Sequence, residues 1–187
     1  MKMSRVAILG ATGVMSGILK LPFSAQAYKD ESKAKENFQK FSYAADRNSD
    51  IIQRYTKSIN KVMESSELYI EFDKARVDLA KKHAQKDGDG NPTIREDGSY
   101  VIPYKNEASF RADLETLKTD MKYADEVKKR EEFSKGLEAF LDEEIEIEDI
   151  YTVPFSTFPL TLTGEQMKVA RRFARESEKE IDDMLSK

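Results

Sequence analysis

Apolar residues return at helical spacing along most of this chain. Phe38, Phe41, Ala45, Ile52, Tyr55, Ile59 and Val62 fall three, four or seven apart, so they share one stripe of a helix that something must cover. Phe23, Ala27 and Ala34 lead into this row, and Leu68, Phe72, Ala75 and Leu79 continue it with an offset. The offset predicts altered supercoiling or a change of packing partner near Glu64 to Glu67. Asn48-Ser49 is the expected place for an outright break. Pro22 suits a first helical turn, where its missing N–H costs nothing. The pattern therefore predicts one helix of about 60 residues, or two collinear pieces, over 21–85, about 90 Å long at 1.5 Å per residue.

A helix of that length needs a partner running back along it. Phe110, Leu114, Leu117, Met121 and Ala124 supply the matching row, continued by Val127, Phe133, Leu137 and Leu141, and predict a returning helix that starts after Asn106. Gly136 weakens that helix without breaking it. Between the two lie Asp87-Gly88-Asp89-Gly90-Asn91-Pro92 and Asp97-Gly98, with Ile94 on one arm and Tyr100 and Ile102 on the other. Asp-Gly between short extended arms predicts a two-residue hairpin with both turn residues left-handed. Further on, Glu143 to Ile150 alternates glutamate with isoleucine, the pattern of a half-buried strand pairing with Thr152 to Phe155 or with the hairpin. Val153 to Leu160 is apolar and holds two prolines, so it lies extended against a surface of this chain or of a neighbour. Thr163 and Gln166 form a capping box that opens a terminal helix striped with Met167, Ala170, Phe173, Ala174, Ser177, Ile181 and Met184.

The expected fold is mainly α: a long antiparallel helical hairpin or coiled coil with a small β-hairpin at the tip and a short C-terminal helix. Its divisions are an apolar arm at 1–20, the helical hairpin at 21–142 with the β-hairpin inserted at 87–106, and a terminal region at 143–187.

Charge and composition narrow the chemistry. Thirty-five acidic residues against 31 basic ones leave a formal charge of -4, which argues against sequence-independent wrapping of nucleic acid. Direct nucleic-acid contact is not expected, although Lys168, Arg171, Arg172 and Arg175 gather on one late helix. Without cysteine there are no disulfides, no thiol catalysis and no cysteine-based zinc site. The lone His83 sits in a lysine-rich helical end and reads as a solvated terminal residue, not a catalytic base.

Two motifs at the N-terminus need weighing. Lys2 and Arg5 before the apolar run Val6 to Leu19, with Ala25-Gln26-Ala27 beyond, match a secretory leader over 1–27. Glycines, a threonine and Lys20 dilute it, and the run is too short and too polar for a membrane span. Val6 to Gly17 also matches the strand and glycine turn of a dinucleotide-binding unit. No second strand ending in an acidic residue follows, so the expectation is an apolar arm or helix in which the glycines and Ala11 allow close contact. Asp87, Asp89, Gly90 and Glu96 match part of a calcium loop. The first ligand is missing and Pro92 stands where an aliphatic residue belongs, so calcium is not expected there.

Taken in order, Ile18-Leu19-Lys20-Leu21-Pro22-Phe23, Ala27-Tyr28-Lys29, Phe72-Asp73-Lys74-Ala75-Arg76, the Gly/Asp-rich hairpin, the acidic Ile-Glu-Ile strand and Leu162-Thr163-Gly164-Glu165-Gln166-Met167 resemble an uncharacterised family of small tailed-bacteriophage proteins. The resemblance implies a helix, a hairpin, a returning helix, an extended segment and a small terminal helix, a phage origin and a virion or assembly role. It carries over no catalytic residue and no cofactor. The expected function is that of a non-enzymatic phage structural or assembly protein, located in the virion or the host cytoplasm, bound to other virion proteins or to copies of itself. The alternative is a small phage-encoded protein that regulates or inhibits a host protein. The expected contact residues are Val153, Phe155, Phe158 and Leu160, with Ile94, Tyr100 and Ile102 on the hairpin.

Overall fold

The computed structural model describes residues 1–186 and divides them into two units. The first comprises 1–63 and the chain from Glu138 onward, the second 64–137.

The N-terminal stretch is part of the first unit's core and not an arm. Strand β1 (Lys2–Ser4) pairs antiparallel with β2 (Glu144–Glu146), setting Met3 opposite Ile145. The Met1 amine donates to the Ile147 carbonyl at 3.0 Å, and the Met1 carbonyl accepts from the Ile147 N–H at 2.6 Å. The acidic strand thus pairs with the N-terminus, not with Thr152 to Phe155 or the hairpin. Ser4 caps helix α1 (Arg5–Ile18), its Oγ accepting from the Ala7 N–H at 3.3 Å. Arg5 donates to the Phe140 carbonyl at 2.8 Å and lies over the Phe140 ring, 4.2 Å from its centroid. Ile8, Ala11, Met15 and Ile18 recur on one face and are all buried. That face packs on helix α2 (Ala34–Met63). Gly10 and Gly13 are helical residues on the open side, where an added Cβ would meet nothing within 4 Å. The glycine turn is therefore absent. A leader ending at Ala27 would take Ile8 and Met15, both fully buried, out of the core.

Within α2 the stripe of Phe41, Ala45, Ile52 and Ile59 is buried as the spacing requires, while Val62 at its end is exposed. The helix runs through Asn48-Ser49 without a break. It stops at Met63, and Ser66 starts α3 (Glu67–His83) by accepting from the Tyr69 N–H at 3.1 Å. A serine hydroxyl that satisfies the free N–H groups of a new helix makes ending the old one favourable. Residues 21–33 are not helical either; they hold two 3-10 turns, Ala25–Ala27 and Glu31–Lys33.

These turns bury Ala27 and Tyr28 against Ala34 and Phe38. The Tyr28 hydroxyl is enclosed without a hydrogen-bond partner, and burial pushes its pKa up to about 12. Between pH 10 and 12 the unfolded chain gives up this proton while the folded chain keeps it, so stability falls as pH rises through that window. Tyr28→Phe is expected to leave neutral-pH stability unchanged or raise it by about 1 kcal/mol. It should also remove about 1 kcal/mol of the alkaline loss present at pH 11; denaturation midpoints at pH 8 and pH 11 check both.

The second unit begins with α3, which packs against α4 (Tyr104–Thr119). The returning helix is broken at Asp120, whose Oδ1 accepts from the Lys122 N–H at 2.8 Å and whose carbonyl accepts from the Tyr123 N–H at 2.9 Å. Met121, expected on the apolar row, stands 98% exposed in that turn. Helix α5 (Ala124–Asp142) follows and continues through Gly136. Phe72, Tyr123 and Val127 form the core, with the Phe72 ring 5.7 Å from Tyr69 and 5.9 Å from Tyr123. Between α3 and α4 the hairpin exists, with Ile94 bridged to Tyr100. Its turn differs from the expected one: Gly98 alone has positive φ, at 80°, and its N–H bonds to the Arg95 carbonyl at 3.0 Å. This is the three-residue loop with glycine at the left-handed place.

In the C-terminal part of the first unit the Thr163–Gln166 capping box opens α6 (Gly164–Ala170), as its sequence requires. A 3-10 turn, Arg171–Phe173, follows. The chain then leaves the helix to bridge Val153 to Ala174, with the Val153 N–H on the Phe173 carbonyl at 3.0 Å. A second capping box, Ser177 with Glu180, starts α7 (Glu178–Leu185). The antiparallel hairpin or coiled coil is accordingly replaced by several packed helices. The element order behind the bacteriophage resemblance is not the one this chain builds. Among the described residues no helix is long and apolar enough to cross a membrane.

Candidate functional site

The residues expected to make contacts are scattered. Phe158 is buried, its ring 5.1 Å from Phe41 and 5.1 Å from the half-buried Phe155. Val153 is bridged to Ala174, and the Phe155 N–H is held by Glu176 at 2.8 Å. The proline-bearing segment thus lies against its own α2, because its aromatics complete the core. Leu160 alone of this group faces out, 61% exposed, with its N–H on the Ala27 carbonyl at 2.7 Å. Ile94, Tyr100 and Ile102 belong to the second unit; Ile94 is exposed and the other two half-buried. The apolar seam lined by Ile18, Phe41, Ala45, Val153, Phe158 and Phe173 is too tight for a water molecule.

Two polar groupings merit a chemical reading. His83 is mostly buried, not solvated as expected: its Nε2 lies 2.9 Å from Asp113 Oδ2 and its Nδ1 3.4 Å from Ser109 Oγ. The His83 hydrogen bond, with the nearby Lys82, holds the Asp113 carboxyl below the usual range. The types match a nucleophile, a base and an orienting acid. The geometry does not, because the Ser109 hydroxyl donates to the Asn106 carbonyl at 2.9 Å. Its N–H, inside α4, is committed to the helix ladder and is no oxyanion donor. Asp87, in the partial calcium loop, accepts from the Asp89 and Asn91 N–H groups at 3.0 and 2.9 Å, which closes the turn on itself.

A third grouping was not legible as a unit in the sequence. On the outer face of α2, Tyr43 and Arg47 stand four residues apart, one turn along, and Tyr151 lies beside them. The two tyrosine rings meet edge to face, 5.8 Å between centroids at 85°. The Arg47 guanidinium lies 5.6 Å from the Tyr43 centroid and 5.9 Å from that of Tyr151. Its Nε donates to the Tyr43 hydroxyl at 3.3 Å. That hydrogen bond, then the fields of Tyr43, Tyr151 and Asp50, raises the Arg47 pKa. Tyr43 is 55% and Tyr151 42% exposed.

What places Tyr151 there is Asn48, which is fully buried. Its Oδ1 accepts from the Tyr151 N–H at 2.8 Å and its Nδ2 donates to the Tyr151 carbonyl at 2.9 Å. Asp149 turns the chain with φ 58°, a left-handed conformation that aspartate tolerates. Two turns further along α2, the Tyr55 hydroxyl donates to the Glu146 carbonyl and accepts from the Glu148 N–H, both at 3.3 Å. The segment 146–151 is thereby fastened along α2 at two points. A Tyr and an Arg at i,i+4 on an otherwise charged outer face was the readable part of this signal. Tyr151, 103 residues from Asn48, was not.

Compared with family models, with characterised proteins and with solved structures, the chain finds no match in any of the three.

Proposed function

We propose that this protein is a non-enzymatic assembly or binding component that works by protein–protein contact through the Tyr43–Arg47–Tyr151 surface. The observation that carries this reading is the Asn48 clamp, which fixes an exposed aromatic pair and a guanidinium on a rigid helix. Tyrosine and arginine are enriched among residues that dominate binding energy, and a side chain already held in place loses little entropy on docking. The reading puts its work in the cytoplasm or within an assembled particle, where partner surfaces are at hand.

Photo-crosslinking from a benzophenone amino acid in place of Tyr43, in cells of the source organism, tests this. Tyr104 serves as the control, because it is 90% exposed and makes no comparable cluster. A defined cross-linked product from Tyr43 and none from Tyr104 is expected. Equal labelling from both, or none from Tyr43, would end the reading. The solution mass of the product separates copies of this chain from a different protein.

A further inference from the structure

The chemistry of the partner can be read from the surroundings of the aromatic pair. Arg47 shows what the ring faces accept, since a guanidinium already lies within 6 Å of both centroids. Four exposed carboxylates lie close to it along the chain, Asp46 and Asp50 on α2 and Glu148 and Asp149 just before Tyr151, while the next bases along α2 are Lys40, paired with Glu36, and Arg54. Among the described residues none of these four carboxylates is engaged in a salt bridge. The acidic positions by themselves are a solvated face. Combined with two fixed ring systems they make a surface complementary to flat cations.

We infer that the Tyr43–Arg47–Tyr151 surface docks a segment of another protein rich in arginine and lysine. This rests on the contact reading above and adds the partner's chemistry. Arginine side chains stack on the outer tyrosine faces, while the flanking carboxylates hold their charge and that of neighbouring lysines.

The test uses the intact chain and a labelled arginine- and lysine-rich peptide, with a peptide of equal length carrying glutamate at the basic positions. Fluorescence anisotropy is expected to show the basic peptide binding at least about tenfold more tightly than its counterpart. Tyr43→Ala with Tyr151→Ala should weaken it about tenfold, whereas Tyr43→Phe with Tyr151→Phe, which keeps both rings, should retain most of the affinity. Asp46→Asn with Asp50→Asn should cost about threefold and flatten the salt dependence. Thermal midpoints report whether each variant stays folded.

Equal affinity for the two peptides overturns the inference. Binding that survives loss of both rings also does, since it leaves only diffuse attraction to carboxylates. Self-association that the double alanine variant abolishes and the peptide does not displace assigns the surface to a second copy, and overturns it too. If Tyr43 still cross-links a defined protein while the peptides are not distinguished, the contact reading stands and its basic partner falls. If both fail, both fall.

Discussion

Ile59→Asp is expected to destabilise the first unit by about 4–5 kcal/mol, a large share of the roughly 5–15 kcal/mol that holds an ordinary domain together. Ile59 is 4% exposed and packs in the cluster that holds Ile52, Ile8 and Met15. A carboxylate there either stays charged without a partner or takes up a proton at a raised pKa, and both carry a free-energy penalty in addition to the lost apolar contact. Thermal melts should show a drop in midpoint of about 10 °C or more, at roughly 2–4 °C per kcal/mol for a chain of this size. Ile59→Val, which removes one methylene, should cost only about 1 kcal/mol. A midpoint for Ile59→Asp within a degree or two of the parent would show that this stripe is not buried.

The second large effect is expected at Asn48. Asn48→Ala leaves the Tyr151 N–H and carbonyl without partners in a partly buried place and opens a small void under them. About 2–4 kcal/mol should be lost, more than a typical point substitution costs. Asn48→Asp is the sharper variant because it is nearly isosteric. Its carboxylate still accepts from the Tyr151 N–H but sets an anion against the Tyr151 carbonyl, where the amide donated. Its folded pKa is therefore raised above the unfolded value. This variant should recover stability as pH falls toward the usual aspartate range, where protonation restores a donor, and lose it as pH rises through the folded pKa. A pH-independent loss would mean that the clamp does not hold Tyr151 in solution.

The contrast between what was and was not legible follows the range of the interactions. Stripes such as Phe41, Ala45, Ile52 and Ile59 depend on helical geometry alone and were readable, as was the Thr163–Gln166 box, which spans a single turn. The offset near Glu64 to Glu67 did mark the place where α2 gives way to α3, but the outright break was expected at Asn48-Ser49 and the one at Asp120 was missed, because a short polar side chain inside an apolar pattern serves as a helical surface or as a cap, and local sequence does not separate these. Asn48 was read as a breaker for the same reason. Its amide is satisfied by a backbone 103 residues away, which no window along the chain contains. Helix α1 was readable as an apolar arm or helix, but not that Ile8, Ala11 and Met15 have α2 of the same chain to cover them. Phe158 was expected to face a partner because a proline-bearing apolar segment fits a foreign surface as well as its own. Its place against Phe41 is decided by the whole fold.

The fold and the proposed contact surface share one requirement: the loop carrying Tyr151 must lie along α2 in the free protein. A nuclear Overhauser measurement between the ring protons of selectively labelled Tyr43 and Tyr151 tests this directly, since their centroids are 5.8 Å apart. A cross-peak between the two rings, retained in Arg47→Lys and lost in Asn48→Ala, is the predicted result. Absence of that cross-peak in the folded parent protein would contradict both the packing and the function drawn from it.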